Sequence, residues 1–168
     1  MIYKKFINPG AYSIFIRQMK ASGMQPKEIN EIFDFKGDYA RLILEDGRQP
    51  RYKQVLKTDV ALRSYFHGNK DYTRHLYKTV QVYEPVHILE WLDNHEDIEY
   101  FRYELGYSPT TFDRGVVEPL EEETIAFGKV KELTELIDLW EDSELGDFSV
   151  TWRSWFSGVV KRTEEEEE

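Results

Sequence analysis

The chain contains no cysteine, which excludes disulfides, thiolate metal ligands and a cysteine nucleophile, and fits a reducing compartment. It also lacks any apolar run near the ~20 residues that a membrane-spanning helix needs, and its opening MIYKKFINPGAYSIF is too short in apolar residues for a secretory signal. A cytoplasmic protein with no membrane contact is expected. Catalytic signatures are missing too. Gly115 and Gly128 stand alone rather than in a phosphate-binding loop, no close pair links His67, His75, His87 and His95, and no serine lies in a G-x-S-x-G setting. Carboxylates are so common that Asp93, Glu96 and Asp97 carry no weight as a dyad or Mg²⁺ site. The expectation is a protein that is not an enzyme, with no cofactor and no metal.

What is present is a large supply of core material. Apolar residues make up 40% of the 168 and aromatics 15%, enough for a packed interior despite 32% charge. The net charge of −10 conceals a division: residues 1–66 hold twelve Lys and Arg against seven Asp and Glu, whereas residues 67–168 hold ten against twenty-five. A basic face gathers phosphates, while an acidic one repels them and attracts basic protein surfaces, so the two segments suit different partners. Solubility alone is the plainer explanation.

The apolar spacing predicts mainly α structure with a minor β element. AYSIFIRQMKA sets Ile14, Phe15 and Met19 at helical intervals and stops at Ser22-Gly23. QPKEINEIF follows, with Pro26 in the first turn and Ile29, Ile32 and Phe33 on one face. After the turn Asp34-Phe35-Lys36, a third helix carries Tyr39, Leu42 and Ile43 and closes at Gly47. A fourth, RYKQVLKTDVALRSYF, offers Val55, Leu56, Val60, Leu62 and Phe66, and the breakers His67-Gly68-Asn69 suggest a boundary. The expected division is a basic helix-turn-helix domain (1–66), an acidic α or α+β domain (67–163) and an acidic tail (164–168).

In the second segment LYKTVQVY alternates as a strand and Pro85 ends it. Residues 85–107 predict a helix broken near Asn94, carrying Ile88, Leu89, Trp91 and Leu92 and then Ile98, Phe101 and Leu105; residues 107–119, with Pro109, Gly115 and Pro119, predict a long loop. EEETIAFGKVKELTELIDLWED predicts a helix with Glu121 to Glu123 at its positive end. Its Ala126, Val130, Leu133, Ile137 and Trp140 form a seam that serves either core packing or a homodimer. The last segment mixes strand-like Phe148, Val150 and Trp152 with helical spacing of Trp152, Trp155, Phe156, Val159 and Val160.

Residues 23–51, GMQPKEINEIFDFKGDYARLILEDGRQPR, resemble the helix-turn-helix of the lambda-repressor/Cro-like family through Gly23, Glu28, Ile29, Phe33, Phe35, Tyr39, Ile43, Gly47, Arg48 and Pro50. They depart from its usual pattern at Pro26 (usually Gln), Asn30 (Ala), Asp34 (Gly) and Lys36 (a small cap). The resemblance implies a second helix bracing a third that enters the major groove. It would place Lys36, Tyr39, Arg41, Arg48, Arg51 and Lys53 against double-stranded DNA, with Arg41 best suited to a bidentate contact with guanine and Asp38 and Glu45 opposing it.

Two functions follow. The first is a DNA-binding transcriptional regulator, dimeric because one recognition helix seldom supplies enough specificity. The second is a small inhibitor whose acidic segment docks on a basic nucleic-acid-binding protein, through Glu96, Asp97, Glu99, Glu104, Glu141, Asp142, Glu144 and Asp147 beside aromatic anchors. The latter layout is similar in design and charge to phage anti-defence proteins, some anti-CRISPRs included, that join an autoregulatory helix-turn-helix to an inhibitory domain.

Overall fold

The computed structural model describes residues 2–67, 78–94 and 105–143. In chain order they form strand β1 (Lys4–Ile7), a 3₁₀ turn (Pro9–Ala11), α1 (Tyr12–Ala21), α2 (Pro26–Phe33), α3 (Tyr39–Asp46), α4 (Tyr52–Phe66), β2 (Thr79–Val82), α5 (Pro85–Asn94), α6 (Pro109–Phe112), a π-helical turn (Asp113–Val117), α7 (Glu118–Glu122) and α8 (Phe127–Ser143). The class is mainly α with a minor β element. The expectations for residues 95–104 and 144–168, including Ile98, Phe101 and the Phe148–Val160 pattern, lie outside the described residues.

Four helices appear where the apolar spacing places them in the first segment, with two shifts in their inner faces. α1 turns Tyr12, Phe15, Ile16 and Met19 inward and leaves Ile14 45% exposed; α4 turns in Tyr52, Val55, Thr58, Asp59, Leu62 and Phe66 and leaves Val60 70% exposed. Choosing apolar residues alone misjudges such faces, because Tyr12 and Asp59 have polar atoms and still belong to the buried stripe.

Strand β1 has no counterpart among the predicted elements. KKFI is short and begins with two lysines, and it becomes a strand by pairing antiparallel with β2 in the register Lys4 to Val82, Lys5 to Gln81, Phe6 to Val80 and Ile7 to Thr79. A bare two-stranded ribbon is marginal in water. Helices cap this one from both edges: the Ile7 amide donates to Asp59 Oδ1 of α4 at 2.7 Å, and the Tyr83 amide donates to Thr134 Oγ1 of α8 at 3.0 Å.

Successive strand side chains point to opposite faces, and β1 uses this to serve two apolar clusters. Ile7 joins the residues of α1, α2 and α3, while Phe6 joins Val82, Ile88, Trp91 and the inner face of α8. α4 does the same along its length, with Leu62 and Phe66 in the first cluster and Tyr52 and Val55 in the second. The clusters therefore do not divide at residue 67.

The loop expected over 107–119 is helical instead. Ser108 caps α6, and Pro109 sits in its first turn, where a missing N–H leaves no bond unmade. Pro119 follows the π-helical turn, whose wider ring makes room for a proline that would otherwise clash with the carbonyl one turn earlier. The prolines thus start and widen helical turns rather than break them.

The long helix after this begins at Phe127, not at Glu121. The connection from Glu123 to Phe127 is tied to the α3–α4 connection: Phe127 N–H donates to Pro50 O at 2.9 Å, Tyr52 N–H to Ile125 O at 2.7 Å and Lys53 N–H to Glu123 O at 3.0 Å. Glu121 and Glu122 close α7 and Glu123 caps it in the left-handed conformation, so this acidic trio lies at a negative helix end. Of the two roles open to the α8 seam, core packing or a homodimer, burial within the chain fits the first. Val130, Leu133, Ile137 and Trp140 are at most 3% exposed and covered within the chain, and half-buried Ala126 bridges to Arg51.

Candidate nucleic-acid interface

The turn between α2 and α3 is built around Asp34 and Asn30. Asp34 takes the left-handed conformation, φ 62°, which favours glycine. Aspartate tolerates this better than most residues, and the geometry lets the Asp34 and Phe35 amides close on Glu31 O and Asn30 O. Asn30 does not wedge the helices apart. Its Nδ2 donates to Gly37 O at 3.0 Å, tying α2 to the start of α3. From behind, α4 fixes the same turn through Thr58 Oγ1, which donates to Phe33 O at 3.0 Å, and Gln54 Nε2, which donates to Asp34 O at 3.2 Å. Phe35 stacks on Phe33 at 4.9 Å and lies 4.8 Å from the Tyr39 ring, so aromatic packing sets the angle of α3.

The basic residues near this turn separate into two environments. Arg41 points into a hollow with Lys20, Asn30, Gly37 and Glu45. Its guanidinium lies 3.2 Å from Glu45 and 3.3 Å from Asp38, and these carboxylates raise its pKa further above the ordinary value. The best sequence candidate for reading a base is therefore already paired along its own helix. Lys36 is exposed and lines neither this hollow nor the cleft described next.

Tyr39, Arg48, Arg51 and Lys53 come together around a cleft of about 520 Å³, and Lys57, Gln49, Gln54, Thr124 and Ala126 complete its lining. None of the lining residues is acidic. Arg51 Nη1 donates to Thr124 O at 2.6 Å, a neutral acceptor, and has no carboxylate within 4.0 Å among the described residues. Lys57 shares Asp34 at 4.0 Å, while Arg48 and Lys53 have no carboxylate within 4.0 Å among the described residues. Tyr39 has a raised pKa because burial disfavours its phenolate, with Arg48 and Arg51 pulling the other way. The arrangement can hold an anion, above all a phosphate that accepts from a guanidinium fork.

Lys57 joins the cleft without being among the residues that the resemblance implies. It stands four residues after Lys53 on α4, hence on one helical face, and that spacing is a usable signal. Thr124 and Ala126 carry none, because a connection seventy residues further along brings them to the cleft.

The acidic residues named for docking are mostly beyond reach. Glu96, Asp97, Glu99, Glu104, Glu144 and Asp147 lie outside the described residues, as do His75 and His95. Asp142 is exposed, and Glu141 accepts from Trp91 Nε1 at 2.6 Å. A second carboxylate, Asp138, accepts from the Tyr3 and Tyr83 hydroxyls, whose rings stack at 4.8 Å, and so pins β1 and β2 to α8. Among the described residues no group of three His, Asp or Glu converges as a metal site, and no helix is long and apolar enough to cross a membrane. No protein-family model, curated protein or solved structure matches the chain.

Proposed function

We propose that the protein is a DNA-binding regulator whose first segment grips the phosphate backbone at the C-terminal end of α3. One observation carries this reading: Arg48, Arg51, Lys53 and Lys57 converge on one cleft with no acidic lining, directly after the α2–α3 pair whose turn is held by three side-chain hydrogen bonds. Phosphate contacts of this kind position a protein on a duplex and supply most of its salt-dependent affinity. Arg41 has no role in base reading here, since freeing it from Asp38 and Glu45 would expose two carboxylates to the DNA. Sequence preference comes instead from duplex shape and from the register that the backbone contacts impose.

Fluorescence anisotropy with a labelled duplex tests this. Log affinity against log salt between about 50 and about 200 mM should have a slope of about −3 to −4 for four phosphate contacts, and Arg48→Ala or Lys53→Ala should each reduce it by about 1. Arg41→Ala should leave it unchanged. Absence of binding at the lowest salt sinks the reading. The alternative is an inhibitor that docks its acidic segment on a basic protein; a pull-down of basic nucleic-acid-binding proteins by the full chain, with no duplex binding, would favour it, and the convergence of cations on one cleft is the observation that favours DNA.

A further inference from the structure

A duplex strand needs only an exposed row of cations, whereas the cleft beside α3 has a second wall. Thr124 and Ala126 form it, held by the Arg51–Ala126 bridge and by the Arg51 bond to Thr124 O. At about 520 Å³ its size falls within the ~300–1,000 Å³ typical of sites for small molecules. Arg48, Arg51 and Lys53, none within 4.0 Å of a carboxylate among the described residues, repel one another around such a concavity, and a compact polyanion would relieve that repulsion. Two further features go beyond phosphate. Tyr39 brings a half-buried aromatic ring, and Gln49 brings an amide with both a donor and an acceptor.

We infer that this cleft is a binding site for a soluble nucleoside polyphosphate. Arg48, Arg51 and Lys53 hold the phosphates, while the base lies against Tyr39 and is met by the Gln49 amide. Arg51 gives the ligand a structural consequence, because a phosphate competes with Thr124 O for its guanidinium and so acts on the connection between α7 and α8. The site shares its cations with the proposed DNA contacts without depending on them. A bound nucleotide would displace DNA, making the chain a DNA-binding protein released by nucleotide.

Calorimetric titration of the full chain at low salt, with EDTA present, tests this with three probes: ATP, inorganic triphosphate and adenosine. ATP is expected to bind more tightly than triphosphate, and adenosine at least about tenfold more weakly than ATP. Arg48→Ala and Lys53→Ala should each weaken ATP about tenfold, as loss of a charge-assisted hydrogen bond does, while Arg41→Ala should not change it. Circular dichroism melting of each variant separates lost binding from lost folding. No heat from ATP at about 1 mM overturns the inference. So does equal affinity for ATP and triphosphate, which would mean a general anion trap, and so does an effect of Arg41→Ala equal to that of Arg48→Ala. The two readings fail separately: duplex binding without ATP binding removes only the nucleotide site, and ATP binding without duplex binding removes only the DNA contact.

Discussion

Asp59 is a carboxylate placed at a strand edge. It is 8% exposed, accepts the Ile7 amide at 2.7 Å through one oxygen and Arg63 Nε at 2.7 Å through the other. Removing it would leave the Ile7 N–H buried without a partner, which costs the full desolvation of that group. Asp59→Ala is expected to lower the unfolding free energy in urea by about 1–3 kcal/mol. Tyr12 is the opposite case. Its ring, on α1, is fully buried against Phe33 and Phe35, but its hydroxyl has no hydrogen-bond partner among the described residues. Tyr12→Phe removes an unsatisfied polar atom at almost constant shape, so its stability should equal or exceed that of the parent by up to about 1 kcal/mol in the same urea experiment. Neither effect was legible in the sequence, where Asp59 reads as a surface charge and Tyr12 as one of eleven tyrosines.

At the scale of elements, the helices of the first segment were legible because each is short, amphipathic and ends at a turn residue. β1 and the helical run from Pro109 to Glu122 were not, for different reasons. KKFI has no alternation of its own to display in four residues, and its state is set by β2 more than seventy positions away. The Pro109–Glu122 run carries two prolines and a glycine, and local propensity counts them as breakers. Gly115 has a packing reason to be there. A Cβ at this position would stand 2.7 Å from Tyr107 Cε1 and 3.1 Å from Cζ, and the Tyr107 ring meets Phe112 edge-on at 6.1 Å. Gly115→Ala should therefore destabilise the protein by about 1–3 kcal/mol, as overpacking does, despite the better helix propensity of alanine. Thermal melting monitored by circular dichroism measures it, and an increase in stability would show that Tyr107 moves aside.

For the whole molecule, the interior is rich in phenols, and this governs its response to alkali. Burial raises the pKa of Tyr12, Tyr52 and Tyr83, with the hydrogen bond to Asp138 adding to the effect on Tyr83. A raised folded pKa contributes stability that is complete below the unfolded value of about 10 and is lost as pH climbs from there through the folded value. The urea midpoint should hold steady up to about pH 10 and then fall, with phenolate absorbance from these groups rising only as the chain unfolds. A midpoint unchanged well above that pH would contradict the burial of these rings.

The sequence by itself determined the helical class, the four helices of the first segment, the α2–α3 turn and the charge division, because each depends on residues close together in the chain. The resemblance grouped Lys36, Tyr39, Arg41, Arg48, Arg51 and Lys53, of which Tyr39, Arg48, Arg51 and Lys53 line one cleft. Only the tertiary structure decided which cations lie together. Arg41 differs from Arg48 not in residue type but in having Asp38 and Glu45 along its own helix face, and Arg48 opens onto a cleft closed by Thr124 and Ala126. The same holds for the α8 seam, whose spacing fits a partner chain and a core equally well; burial under α5 and β2 chose the core. Pattern and charge are properties of a segment, whereas pairing, burial and enclosure depend on what lies across from it.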